Sequence, residues 1–176
     1  MNERNGLILV YTGDGKGKTT AALGLALRAL GSGLRTSILQ FMKTQETGEH
    51  RALAELAEGR IEILRLGTGF VLGDAPPPKA AVDAARHALS LARERLTGGR
   101  FDLVVLDEVF PAMAARLIAE RDLLDLLDLR PSGVHLVLTG RGAPQSILDR
   151  ADIVTEMVCV KHAFDCGTEA QDGIET

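Results

Sequence analysis

Thr12-Gly13-Asp14-Gly15-Lys16-Gly17-Lys18-Thr19-Thr20 is the stretch whose reading decides the fold. The apolar run Leu7–Tyr11 precedes it, short enough for a buried strand. Behind it, Thr19–Leu30 is rich in Ala and Leu and reads as a fully buried helix. Strand, glycine-rich loop and helix in that order make a phosphate cradle. The glycines let backbone N–H groups turn inward as a nest for phosphate oxygens, and the helix adds its positive N-terminal end. Lys18 supplies a point charge and Thr19 a hydroxyl for Mg²⁺. The cradle candidates are therefore Gly13, Asp14, Gly15, Lys16, Gly17, Lys18, Thr19 and Thr20. In the pattern G-x-x-x-x-G-K-[ST] the first glycine would fall at position 12, where this chain has Thr12. Its first glycine is Gly13, which makes the loop one residue tighter.

Outward from that loop, short apolar runs alternate with longer helical stripes. Strands are predicted at Leu7–Tyr11, Thr36–Phe41, Ile61–Leu66, Leu103–Leu106, Val134–Leu138 and Ile153–Val158. The clearest helix runs from Lys79 to Leu96, where Ala81, Ala84, Ala85, Ala88, Leu89, Ala92 and Leu96 share one stripe. Alternation of this kind predicts an α/β fold, a single P-loop NTPase-like domain over residues 1–176. Its sheet is mostly parallel, of about six strands, with helices on both faces.

The run Leu103-Val104-Val105-Leu106 ends in Asp107-Glu108. In phosphate-loop proteins an acidic group in this position stands beside Mg²⁺ at the carboxyl end of a neighbouring strand. Adjacent residues at a strand end point in different directions, so the two carboxylates should not share one job. Either is a candidate for the metal shell, directly or through water. A plain helix start, with Asp107 as the cap, is the competing reading.

Composition narrows the function class. The 176 residues carry 20 basic and 24 acidic side chains, a formal net charge of −4, with five Phe, one Tyr and no Trp. A nucleic-acid-binding face usually shows as a basic domain with stacking aromatics, so no nucleic-acid partner is expected. No run is long and apolar enough to span a membrane, and a cytoplasmic location is the expectation. Two cysteines, Cys159 and Cys166, are too few for a disulfide framework, and with His162 they lack metal-site spacing. The segment Gly67–Lys79 holds three successive prolines and reads as a long loop, and the tail from Lys161 onward has no period. His50, His87 and His135 have no interpretable context in the sequence alone.

Gly13-Asp14-Gly15-Lys16-Gly17-Lys18-Thr19-Thr20, then Gln40-Phe41-Met42-Lys43 and Val104-Val105-Leu106-Asp107-Glu108, together resemble the ATP:corrinoid adenosyltransferases of cobalamin synthesis and salvage. Thr139-Gly140-Arg141-Gly142 continues the match, and the tail Lys161-His162-Ala163-Phe164-Asp165 with Ala170-Gln171-Asp172-Gly173-Ile174 is its most telling part. The resemblance implies that a Co(I) corrinoid attacks the 5′ carbon of ATP and that triphosphate leaves. It implies ATP seated in reversed orientation, with Mg²⁺ on Thr19 and Glu108. Lys18, the loop backbone and the Mg²⁺ on Thr19 and Glu108 would stabilise the departing charge, with Lys16 and Arg141 as helpers, and Phe70 would face the corrinoid. A homodimer and a reduced flavoprotein as electron donor are also implied.

Three positions depart from the family pattern. After Thr68-Gly69-Phe70 the second aromatic expected near the corrinoid is replaced by Leu72, Pro76-Pro77-Pro78 stands where a polar segment is usual, and Val109-Phe110-Pro111 lacks the expected Tyr. Two other classes fit parts of the sequence. An ordinary P-loop ATPase or kinase would release ADP, and the loop spacing counts against it. A nucleotide- or corrinoid-binding protein without catalysis would bind and not turn over, which Leu72 leaves open.

Overall fold

In a computed structural model of the chain, which describes residues 5–70 and 75–175, six parallel strands form one sheet in the order β3-β2-β4-β5-β1-β6. The strands are β1 (Ile8–Thr12), β2 (Thr36–Gln40), β3 (Ile61–Arg65), β4 (Leu103–Asp107), β5 (His135–Thr139) and β6 (Ile153–Glu156). Every predicted strand is present, with no end displaced by more than two residues. The helices are α1 (Lys18–Gly31), α2 (Gly48–Leu56), α3 (Lys79–Thr97), α4 (Val109–Ala114), α5 (Glu120–Leu129) and α6 (Gln145–Leu148). The parallel α/β sheet with helices on both faces is as the alternation predicts.

Strand pleating divides the core. In β4, Val104 and Leu106 join the layer packed under α3, α4 and α5, whereas Leu103 and Val105 join the layer under α1 and α2. All of β4 is buried, which is why it reads as an unbroken apolar run. At the edge, β6 is exposed along its whole length.

The expectation of a fully buried helix after the loop is corrected. α1 buries Ala22, Leu23, Ala26, Ala29 and Leu30, while Leu27 is 50% exposed. A helix on the outer layer of a sheet buries one stripe only, and Ala-rich composition does not report the other face. In α3 the predicted stripe does form the buried side, with Ala81, Ala85, Ala88, Ala92 and Leu96 inside.

The carboxyl ends of β1, β2, β4 and β5 lie side by side. Register sets Gln40 beside Asp107 and Tyr11 beside Thr139, so the loops that follow these strands open on the same edge of the sheet. In open parallel sheets this is the edge where ligands bind.

Candidate nucleotide and corrinoid site

A cavity of about 1520 Å³ opens on that edge, larger than the roughly 300–1,000 Å³ that suits one small ligand. The cradle residues from Asp14 to Thr20 line it, together with Glu108, Arg141 and Phe70. Every lining residue among these was named from the sequence. Gly13 lies just behind, at the bend.

The loop is clamped from outside by the chain that follows β6. Gly13 has φ +92°, and a side chain there would run into the backbone of Met157. Gly15 donates its N–H to Met157 O at 2.6 Å, and Met157 N–H donates to Thr12 O at 2.9 Å. A Cβ on Gly15 would meet Met157 O at 2.7 Å. Close backbone approach thus requires glycine at both 13 and 15, and the positive φ adds a second reason at 13. No motif pattern in the sequence points to Met157.

The cations of the loop have definite partners. Lys18 Nζ donates to the carbonyls of Gly13 at 2.7 Å and Gly15 at 2.6 Å, which holds the ammonium across the mouth of the nest. Burial, and then the nearby charge of Arg141, lower its pKa. Arg141 donates to Asp14 O at 3.0 Å and faces the Asp14 carboxylate at 3.7 Å, so it reaches the loop from the end of β5. Lys16 donates instead to Ile174 O in the tail at 2.7 Å. The tail therefore rests against the phosphate loop, and Phe164 and Ile174 remain exposed at the cavity.

The two strand-end carboxylates are separated in role. Asp107 is 1% exposed and accepts three hydrogen bonds: Thr19 Oγ1 at 2.9 Å and Thr139 Oγ1 at 2.7 Å on Oδ1, and Gln40 Nε2 at 3.0 Å on Oδ2. Glu108 sits in left-handed conformation at φ 58°, just before α4, and its backbone N–H donates to Thr139 Oγ1 at 2.9 Å. That uncommon φ turns its side chain away from Asp107 and into the cavity. Glu108 Oε2 is buried with no hydrogen-bond partner among the described residues. Burial first, and then the charge of Asp107, raise its pKa to about 7.

A buried carboxylate oxygen without a partner, beside a threonine hydroxyl and a phosphate nest, fits a hard divalent cation such as Mg²⁺. Of the two carboxylates, Glu108 is the one with a free oxygen.

Sequence reading missed a second line of residues. His50 lies near the start of α2, 2.8 Å from Gln40 Oε1 through its Nε2, and its Nδ1 accepts the Thr47 N–H at 3.1 Å. Burial lowers its pKa. The spacing Thr47-x-x-His50 matches a capping box with His in place of Glu or Gln, and that was the available signal.

Other expectations resolve locally. Phe70 is 63% exposed at the cavity rim. Leu72 lies outside the described residues. Cys159 and Cys166 are free and exposed, and His162 Nε2 faces Glu175 Oε1 at 3.5 Å. Among the described residues no helix is long and apolar enough to cross a membrane.

A parallel sheet with a nest after β1 and acidic residues after β4 defines a P-loop nucleotide-binding protein. Solved structures agree on that fold. A KaiC-like protein of Pyrococcus horikoshii matches with TM-score 0.56 at 24% identity, over 86% of this chain and 73% of that one. The RadB recombinase matches with TM-score 0.55 at 16% identity, over 88% of this chain and 76% of that one. The family itself comes from sequence. Residues 4–176 match the family ATP:corrinoid adenosyltransferase BtuR/CobO/CobP, and the chain belongs to it. Similar relatives are the corrinoid adenosyltransferase of Escherichia coli K12, 37% identical over 98% of this chain and 87% of the relative. Corrinoid adenosyltransferase CobA of Salmonella typhimurium is 38% identical over the same shares.

Proposed function

We propose that the protein transfers the 5′-deoxyadenosyl group of ATP to the Co(I) centre of a corrinoid and releases triphosphate. The corrinoid is complete cobalamin or a cobyrinate precursor, the site belongs to a cytoplasmic homodimer, and a reduced flavoprotein supplies the electrons. The observation that carries this reading is the convergence of Lys18, Thr19, Glu108 and Arg141 on one open cavity whose lining also includes Phe70.

The chemistry asks little of the protein beyond position and charge. Cobalt is the nucleophile, so no serine, cysteine or general base need attack. The bond broken joins the 5′ carbon to its phosphate oxygen, and the electron pair leaves with triphosphate. Preorganised cations and N–H groups lower that barrier most. The nest N–H groups and Lys18 bind the phosphates, and the ammonium exchanges its carbonyl partners for phosphate oxygens as it does so. Arg141 adds charge from the end of β5, against the loop itself. Thr19 and Glu108 would hold Mg²⁺, which neutralises the leaving triphosphate when bound. The tightened nest favours a reversed ATP, with the γ-phosphate where another P-loop protein holds β, and this leaves the 5′ carbon open to the corrinoid. Phe70 at the rim offers an aromatic face to that corrinoid.

The test is anaerobic mixing of the protein, Mg-ATP and chemically reduced Co(I) cobalamin. Loss of the Co(I) spectrum with growth of a light-sensitive alkylcobalamin supports the proposal. ATP binding without any cobalt–carbon product would contradict it.

A further inference from the structure

Thr47, His50, Gln40 and Asp107 form a chain of hydrogen bonds that runs one way. The Thr47 backbone N–H can only donate, so His50 Nδ1 accepts it at 3.1 Å, and the Thr47 hydroxyl, 2.8 Å from the same nitrogen and free to rotate, donates to it as well. The proton of the neutral imidazole is then on Nε2, which donates to Gln40 Oε1 at 2.8 Å. That fixes the Gln40 amide with its nitrogen toward Asp107 Oδ2 at 3.0 Å. A flipped amide would set oxygen against oxygen at Asp107 and nitrogen against an N–H at His50. Gln40 is fully buried, out of reach of bulk solvent, so a wrong orientation would leave its amide unpaired. The far end of the chain is Asp107 Oδ1, which accepts from Thr19 at 2.9 Å.

We propose that His50 is a positioning residue for adenosyl transfer: through Gln40 it fixes the Asp107 carboxylate that aims Thr19 at the metal–triphosphate. The inference rests on the proposed role of Thr19 toward Mg²⁺. It also gives α2 a function, because the imidazole that caps this helix is the one that orients Gln40. Movement of α2 would be felt at Thr19 through three side chains.

Two variants separate capping from positioning. His50→Asn places an amide oxygen near Nδ1, which keeps the bond from Thr47, and leaves nothing to reach Gln40. His50→Gln extends an amide nitrogen toward the place of Nε2, which restores the donor. ATP binding is titrated by calorimetry with and without Mg²⁺ for wild type and both variants. Removing outer partners of metal ligands costs about 10–100-fold, and this group stands further out. The gain in ATP affinity on adding Mg²⁺ should fall about 3- to 10-fold in His50→Asn and recover to within about twofold in His50→Gln, with affinity for ATP alone unchanged. An undiminished Mg²⁺ gain in His50→Asn, or a His50→Gln as impaired as His50→Asn, overturns the proposal.

A second measurement needs no variant. Imidazole nitrogen shifts of His50 should show a protonated Nε2 and a bare Nδ1, and the opposite tautomer overturns the proposal. Both readouts are independent of the corrinoid. Failure to make any cobalt–carbon product would therefore sink the adenosyl-transfer reading and leave the His50 result standing on its own.

Discussion

The Thr19 hydroxyl donates to Asp107 Oδ1 over 2.9 Å, linking the start of α1 to the end of β4. Asp107 uses both oxygens in such bonds, whereas its neighbour Glu108 keeps a buried oxygen without a partner among the described residues. The two carboxylates accordingly fail in different ways. Asp107→Asn presents an amide NH₂ to a site built of donors, and it should destabilise the protein by about 1–3 kcal/mol in urea unfolding. Glu108→Gln should leave the fold intact and remove most of the Mg²⁺-dependent gain in ATP affinity.

The raised pKa of Glu108 makes stability depend on pH in metal-free buffer. Its carboxyl titrates near 4.5 in the unfolded chain and at about 7 in the folded one. Between those values the folded state binds more protons, so stability falls as pH rises through the window. Glu108→Gln lacks that slope. At pH 8 it should be the more stable protein by on the order of 1–2 kcal/mol, the full linkage being reduced by partial solvent access. The two should converge near pH 4 when unfolding is followed across pH.

Among the described residues Lys18 hydrogen-bonds only to carbonyls of its own loop, so its loss should spare the fold and damage the chemistry. Lys18→Met should keep the wild-type melting temperature and slow adenosyl transfer by about 10²–10³-fold, the scale for removing one preorganised donor. Arg141 is more exposed and pairs at 3.7 Å with Asp14. Arg141→Ala should therefore cost less in the same single-turnover assay.

Gly15 is held by space. A methyl group there meets Met157 O and Val158 O, both backbone atoms that cannot turn aside. Gly15→Ala should push the segment after β6 off the loop, weaken ATP binding, and increase amide hydrogen exchange at Met157. Gly24→Ala in α1, where a Cβ meets nothing within 4 Å, is the matched control and should be neutral or mildly stabilising.

The centre of the sheet was legible because its strands are buried on both faces and punctuated by glycine and polar turns, as Leu103–Asp107 illustrates. The cradle was legible because the spacing of Gly13, Gly15, Gly17, Lys18 and Thr19 is local. The division of labour between Asp107 and Glu108 was not, because it depends on a backbone φ of 58° and on Thr139 from another strand. His50 was invisible for the same reason: its meaning lies in Gln40, which sits on β2 and is brought to Asp107 by register. Half-exposure of Leu27 in α1 was misread because an Ala-rich helix gives little hydropathic contrast between faces.

The most direct test of the central claim is the fate of the phosphates in a single turnover with Co(I) corrinoid. Attack at the 5′ carbon releases all three together, so phosphorus NMR of the quenched mixture should show intact tripolyphosphate, equimolar with the alkylcorrinoid and without ADP. ADP and orthophosphate with an unchanged corrinoid would contradict the account, because the nest would then be serving hydrolysis at the γ-phosphate.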